Sequence, residues 1–348
     1  MLENEIIELN KGRSAVYCSQ AAQDERARYV ANHPTNILVF KCMDGRINLP
    51  FITGVPIGVF RPFRHVGGKF TLLGDPYLNH LVREENEEAM RQGRPTLSLC
   101  TYHFSKGDKH RGCAGHKYDT ASARSGAIAL KKEFDVVFGT HNIEMGAILL
   151  GIETDEDSIV FTNEAGETFS IAENTEVADA TAIRVKLSRI YPDISEQMLN
   201  DLLPLAYGDR AHVRTLKLAG ARPHSELVHG EDIICVGRGF DWLHLPNRAL
   251  IIGPYKYYDH TWKDAIAIAG NIVRGNFESN PNLKKGGALL IISAPYRNLE
   301  EKGIAMTQSD SYSKVAQDAL GENIKNLNMK ILVGVTDMTT MKFHQLKI

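Results

Sequence analysis

The segment Gly93–His103 (G-R-P-T-L-S-L-C-T-Y-H) finds a counterpart in Gly286–Tyr296 (G-G-A-L-L-I-I-S-A-P-Y), 193 residues further along. At the same offset Cys42 falls on Cys235, each just after an apolar run. Pro62-Phe63 matches Pro254-Tyr255 at an offset of 192, and a run ending at Gly139 matches one ending at Gly334 at 195. Offsets that hold within a few residues over so long a stretch predict a duplicated domain. The length, 348 residues, is about right for two.

Each copy is expected to be α/β, because short apolar runs alternate with helical patterns. The first ~30 residues read as helical, and His33-Pro34 stops them, since a proline disfavours the helical conformation before it. Asn36–Lys41 (N-I-L-V-F-K) reads as a buried strand, Gly58–Phe63 as a second and Thr96–Tyr102 as a third. Helices are predicted over 75–91 and 119–134, with Asp119 or Thr120 as N-cap of the latter. Asp135–Phe138 reads as a fourth strand, and Ala147–Ile152 with Ser158–Thr162 as an edge hairpin. The expected fold is a mostly parallel central sheet flanked by helices, with ligands at the carboxyl ends of its strands. Residues 173–230 read as a helical connector, with helices near Thr181–Ile190 and Ser195–Leu203.

Charges nearly cancel, 40 Lys+Arg against 42 Asp+Glu, which argues against a general phosphate-binding surface. The cluster Lys106–Arg111 is short and lacks interleaved aromatics, so no nucleic-acid partner is expected. Apolar runs such as Gly287–Ala294 are too short to span a bilayer. The acidic start M-L-E-N-E-I-I-E carries no apolar leader, so a cytoplasmic, membrane-free protein is expected. Five widely spaced cysteines (Cys18, Cys42, Cys100, Cys113, Cys235) do not form a disulfide framework, which leaves roles as metal ligand, nucleophile or core residue. Cys18, Cys100 and Cys235 read as core.

Zinc takes thiolate and imidazole ligands, and Cys42, His110 and Cys113 can supply three of the four. Cys42 ends a strand; His110 and Cys113 share the loop 105–113. His103 is a competing ligand. Asp44 and Arg46 follow at two-residue steps, and the arginine can hold the carboxylate by a bidentate pair and aim it at the reacting water.

The pair C-M-D-G-R (42–46) and H-R-G-C (110–113) resembles the C-x-D-x-R … H-x-x-C signature of the β-class carbonic anhydrases, and R-H-V-G-G (64–68) resembles a weakened R-N-A-G-N. The resemblance covers about residues 1–172. It implies zinc on Cys42, His110 and Cys113, Asp44 and Arg46 as the catalytic dyad, and reversible hydration of carbon dioxide to bicarbonate. His116 and Tyr118 are candidates to relay the proton. The family works as dimers, so the resemblance also implies a β-carbonic-anhydrase-like zinc domain (1–172), a connector (173–230) and a degenerate second copy (231–348), the duplicated chain forming a pseudo-dimer; further homo-oligomerisation stays open.

Two departures bear on substrate. About seven residues intervene between His103 and His110, where the family passes almost directly from strand to ligand, and Gly68 replaces an asparagine. Hydrolysis of carbon disulfide or carbonyl sulfide would use the same attack on a linear electrophile, and a non-catalytic, zinc-stabilised interaction protein is the third reading. In the second copy no carboxylate follows Cys235 two residues on, and the constant offset sets Gly303 and Met306 in the places of His110 and Cys113. Cys235 then reads as the relic of a ligand, and no metal is expected there.

Overall fold

The computed structural model describes residues 2–174, 180–220, 227, 229–254, 261–284 and 286–346. The chain divides into two compact units, one of Glu25–Cys42 and Ile47–Leu227, the other of Met1–Asp24, Met43–Arg46 and Val228–Ile348.

The larger unit is built on six strands: β1 (Asn36–Cys42), β2 (Phe60–His65), β3 (Thr96–Phe104), β4 (Met145–Glu153), β5 (Ser158–Thr162) and β6 (Thr168–Ser170), in the order β2-β1-β3-β4-β5-β6. The first four in that order are parallel; β4 and β5 form the expected antiparallel hairpin, and β6 adds a further antiparallel strand at the edge. Every residue of β1 is buried, as a parallel strand covered on both faces requires. Phe40 stacks on Phe63 at 4.7 Å and meets Phe134 edge-on at 5.2 Å, fixing the helix behind the sheet.

Helices α1 (Leu2–Tyr17) and α2 (Gln20–Asn32) occupy the N-terminal stretch, and α2 stops before His33-Pro34 as predicted. The five-residue α3 (Leu49–Thr53) follows β1. Asp75 caps α4 (Pro76–Arg91) by accepting from Tyr77 and Leu78 amides. Asp119 caps α5 (Thr120–Phe138) through Ser122 N. Helices α6 (Ala180–Ile190) and α7 (Glu196–Leu218) pack on this same unit, near where the sequence places them.

Two strand expectations shift. Asp135–Phe138 is not a strand: it is the last turn of α5, held by Lys131 to Asp135 at 2.7 Å and ended by Gly139 at φ 87°. The fourth parallel strand is instead β4, which is also the first arm of the expected hairpin. β2 begins at Phe60, after Gly58 turns the chain at φ 93°. No described helix is long and apolar enough to cross a membrane.

The smaller unit carries β7 (Ile233–Gly237), β8 (Ala249–Ile252), β9 (Leu289–Tyr296), β10 (Lys330–Asp337) and β11 (Lys342–Gln345). Read from β8 their order is β8-β7-β9-β10-β11, the same as β2-β1-β3-β4-β5, again with four parallel strands and an antiparallel edge. The duplication predicted from the sequence is therefore present in the topology. Helix α1 belongs to this unit. Ile6 enters its core, Asn10 exchanges hydrogen bonds with Met341 O (2.9 Å) and Phe343 N (2.8 Å), and Arg13 donates to Trp242 O and His244 O.

Strand register corrects the equivalences between the copies. With β9 laid on β3 at the offset of 193, Leu38 pairs with Ser98 and Cys235 with Ile291, so Cys235 occupies the place of Leu38 and that of Cys42 falls on Gly239. Cys235 is a core residue, not a relic. Gly303 and Met306 are not counterparts of His110 and Cys113 either, because both lie inside the helix Leu299–Leu320. In the second copy that helix starts three residues after β9, its N-cap Asn298 accepting from Glu301 N; in the first, residues 105–119 intervene. The second copy lacks the whole ligand loop. Tyr255, half of one sequence match, lies outside the described residues.

Candidate metal centre

Two parallel strands end side by side in β1 and β3. The last residue of β1 is Cys42 and the penultimate residue of β3 is His103. The chain then loops through 105–113 and returns Cys113 to the same place. The Sγ atoms of Cys42 and Cys113 are 4.0 Å apart, and one ligand atom from each of Cys42, His103 and Cys113 lies within 4.8 Å of the other two. All three side chains are buried.

The histidine in this cluster is His103, not His110. His110 is exposed on the short turn Lys109–Arg111, with its amide bonded to Asp108 Oδ1 and its ring edge-on to Tyr118 at 5.0 Å. The structure thus brings the competing residue His103, and not the expected His110, to the two cysteines. Both ring nitrogens of His103 are buried without a hydrogen-bond partner. Such an imidazole costs free energy unless something takes its lone pair. Two thiols and an orphaned imidazole form the donor chemistry that zinc prefers, so the residues present fit the ion.

The glycines of R-H-V-G-G serve a steric purpose. Gly67 and Gly68 both take positive φ, 65° and 63°, and a Cβ on Gly115 would fall 2.6 Å from Gly67 Cα. The turns bearing Val66–Gly68 and Ala114–His116 can touch only because neither has a side chain there. His116 fastens them, with Nε2 3.0 Å from Gly67 O and Nδ1 2.9 Å from Ser122 Oγ. Burial lowers the pKa of His116, the Gly67 bond opposing it. As a relay candidate it has both nitrogens engaged; Tyr118 sits at a positive φ of 62° against His110.

The loop itself is tied to the end of β4. Asp155 accepts from Ser105 Oγ (2.6 Å), Gly107 N (2.7 Å) and Arg111 Nη1 (3.1 Å), and Glu153 accepts from the amides of Lys106 and Glu156. Burial works against the Asp155 charge, but these donors outweigh it and hold its pKa below the usual carboxylate value.

Asp44 and Arg46 belong to the smaller unit with the segment Met43–Arg46. That segment pairs with β8: Asp44 bridges Leu250 antiparallel, and Ile251 N donates to Met43 O at 2.9 Å. Gly45 is required here, since a Cβ would lie 2.3 Å from Ala249 O. The predicted bidentate pair is present. Arg46 Nη2 is 2.6 Å from Asp44 Oδ2, Nε is 3.1 and 3.2 Å from the two carboxylate oxygens, and the Arg46 amide adds a bond at 2.9 Å. Both residues are buried, so this geometry must offset the cost of desolvating two charges.

Sequence reasoning missed two further members of this network, His229 and Glu231. Arg46 Nη2 is 3.2 Å from His229 Nε2, and His229 Nδ1 is 2.8 Å from Glu231 Oε1. Burial disfavours the imidazolium, but the bond to Glu231 and its charge prevail and raise the pKa of His229 above the ordinary value. The only signal in the sequence was H-x-E at the entry to a strand, which is too short to single out.

Residues 30–201 match the family model of the catalytic domain of carboxysome shell carbonic anhydrase. Among curated proteins, a carboxysome shell carbonic anhydrase of Prochlorococcus marinus (strain MIT 9313) is 27% identical over 243 residues, 60% of this chain and 46% of that one. The protein of the same name from Halothiobacillus neapolitanus is 24% identical over 272 residues, 65% and 51% of the two chains. That of Hydrogenovibrio crunogenus is 31% identical over 143 residues, 36% and 26%. The chain spans about half the length, or less, of these relatives. The motif pair, the strand order and these matches agree: residues 30–201 form a domain of the β-class carbonic anhydrase-like family.

Proposed function

We propose that the chain is a zinc-dependent carbonic anhydrase that interconverts carbon dioxide and water with bicarbonate and a proton. Cys42, His103 and Cys113 would hold the ion as two thiolates and a neutral imidazole, which balance its charge. Zinc in such a donor set supplies Lewis acidity that brings the pKa of water to about 7. The observation that carries the reading is the buried convergence of two thiols on a histidine whose ring nitrogens have no other partner.

Asp44 comes two residues after Cys42 in the chain. Its carboxylate is acceptor-only, and Arg46 fixes its direction, so its role in this reading is to accept a hydrogen bond from the reacting water and orient it. The relatives' names carry a shell location, so we extend the proposal to association with a carboxysome shell in place of free cytoplasm; co-sedimentation with purified shells tests that.

Stopped-flow hydration at pH 8.5, on protein shown to carry one zinc per chain, tests the activity. Turnover above buffer supports the proposal, and no turnover ends it. Release of sulfide from carbon disulfide without carbon dioxide hydration moves the substrate to the sulfur analogues.

A further inference from the structure

We propose that His229 and Glu231 are positioning residues for the Asp44–Arg46 pair, so that the C-terminal copy, which has no ligand loop of its own, serves the reaction by holding that pair in one direction. The proposal rests on the carbonic anhydrase reading above. A guanidinium carries donors only, so in the 3.2 Å contact between Arg46 Nη2 and His229 Nε2 the imidazole nitrogen must accept. The ring proton then lies on Nδ1, 2.8 Å from Glu231 Oε1, an acceptor. The second oxygen of Glu231 accepts from Asn276 Nδ2 at 2.8 Å, and Asn276 also reaches Glu231 O at 3.2 Å from the helix Thr261–Ser279. From Asn276 through Glu231, His229 and Arg46 to Asp44, every donor faces an acceptor. The chain works in one tautomer of His229 alone.

A mere prop for the chain entering β7 would not need that tautomer, and this separates the two roles. Glu231 is 1% exposed, and a buried carboxylate is a costly way to fill space. Glu231→Gln keeps the shape and reverses the logic. Its oxygen must face the Asn276 amide, so its NH2 faces His229 Nδ1. That forces the ring proton onto Nε2, where it opposes the Arg46 donor.

The test reads the tautomer directly. Long-range ¹⁵N–¹H NMR of ¹⁵N-histidine-labelled full-length protein at pH 9, with the His229 signals assigned by their loss in His229→Gln, is expected to show neutral imidazole protonated at Nδ1. In Glu231→Gln the proton is expected on Nε2. With zinc content unchanged, Glu231→Gln and His229→Phe are expected to lower kcat roughly 50-fold with little change in KM. His229→Gln, whose amide oxygen can accept from Arg46, is expected to stay within about fivefold of the parent kcat. A wild-type His229 that is protonated at Nε2 or charged at pH 9, or a Glu231→Gln variant with full kcat, overturns the positioning role. A parent protein with the predicted tautomer and one bound zinc but no hydration activity overturns the activity reading and leaves the geometry of the pair standing.

Discussion

His103 and His110 are seven residues apart, and only the first is buried with its ring nitrogens unpartnered. The sequence made Cys42, Cys113, Asp44 and Arg46 legible because their types recur at short fixed steps around strand ends. It did not discriminate between the two histidines. Spacing along a chain reports which residues can share a ligand within one loop, and residues 105–113 take a path that turns His110 outward while bringing Cys113 back. The end of a neighbouring strand was the better guide, since β1 and β3 are paired and their carboxyl ends bring Cys42 and His103 together. His103→Ala is therefore expected to lose zinc and turnover together, as Cys113→Ser should, while His110→Ala keeps one zinc per chain. Metal analysis by mass spectrometry on the three variants decides it, and zinc lost from His110→Ala but kept in His103→Ala would reverse the ligand assignment. Asp44→Asn leaves all three ligands in place and loses the ionic pair with Arg46. It is expected to retain zinc and to lower kcat by about 100-fold, read by stopped flow.

At the scale of elements, the loop between β3 and α5 is the inserted part, and carboxylates at the end of β4 hold it. The sequence showed an insertion but not its anchor, because Asp155 is distant in sequence from Ser105, Gly107 and Arg111, and only the parallel pairing of β3 with β4 brings them together. The reading of Asp135–Phe138 as a strand failed for a similar reason. Two adjacent valines favour a strand locally, but the preceding turns of α5 and the packing of Phe134 carry the helix on for one more turn. Asp155→Asn is expected to loosen the loop and lower zinc affinity about tenfold, measured by competition with a chromophoric chelator. Its effect on stability has a definite sign with pH. The folded carboxylate titrates below its ordinary value, so its contribution is present above about pH 4 and is lost as pH falls through the folded pKa. In metal-free protein the stability difference between parent and Asp155→Asn should therefore be present at pH 7 and fade below about pH 4. A difference that persists undiminished at pH 3 would show that the anchor is steric and not ionic.

For the whole molecule, the repeat was legible because the apolar strands of both copies keep the same order and nearly the same spacing, and the pattern of buried strands survives where the chemistry does not. What a constant offset could not show is that the copies differ by a deleted loop, which shifts the equivalences after β9, or that strand register before β9 puts the counterpart of Cys42 at Gly239. On the proposed reading, the one ligand loop among the described residues would hold one zinc per chain, and Cys235→Ala should leave that number unchanged because Cys235 fills the place of Leu38 in a core. The division of labour goes further. The three proposed ligands belong to the larger unit, while Asp44 and Arg46 are held by β8, His229 and Glu231 of the smaller one. Holding metal and turning over substrate are then separable by a change that touches no ligand and no charged group. Gly45→Ala is that change, since its Cβ would meet Ala249 O at 2.3 Å and must push the segment Met43–Arg46 off β8. The variant is expected to bind one zinc with parental affinity and to lose kcat by roughly 100-fold. If Gly45→Ala loses zinc and activity in step, the metal set depends on the pairing with β8, and the two copies do not divide the work in this way.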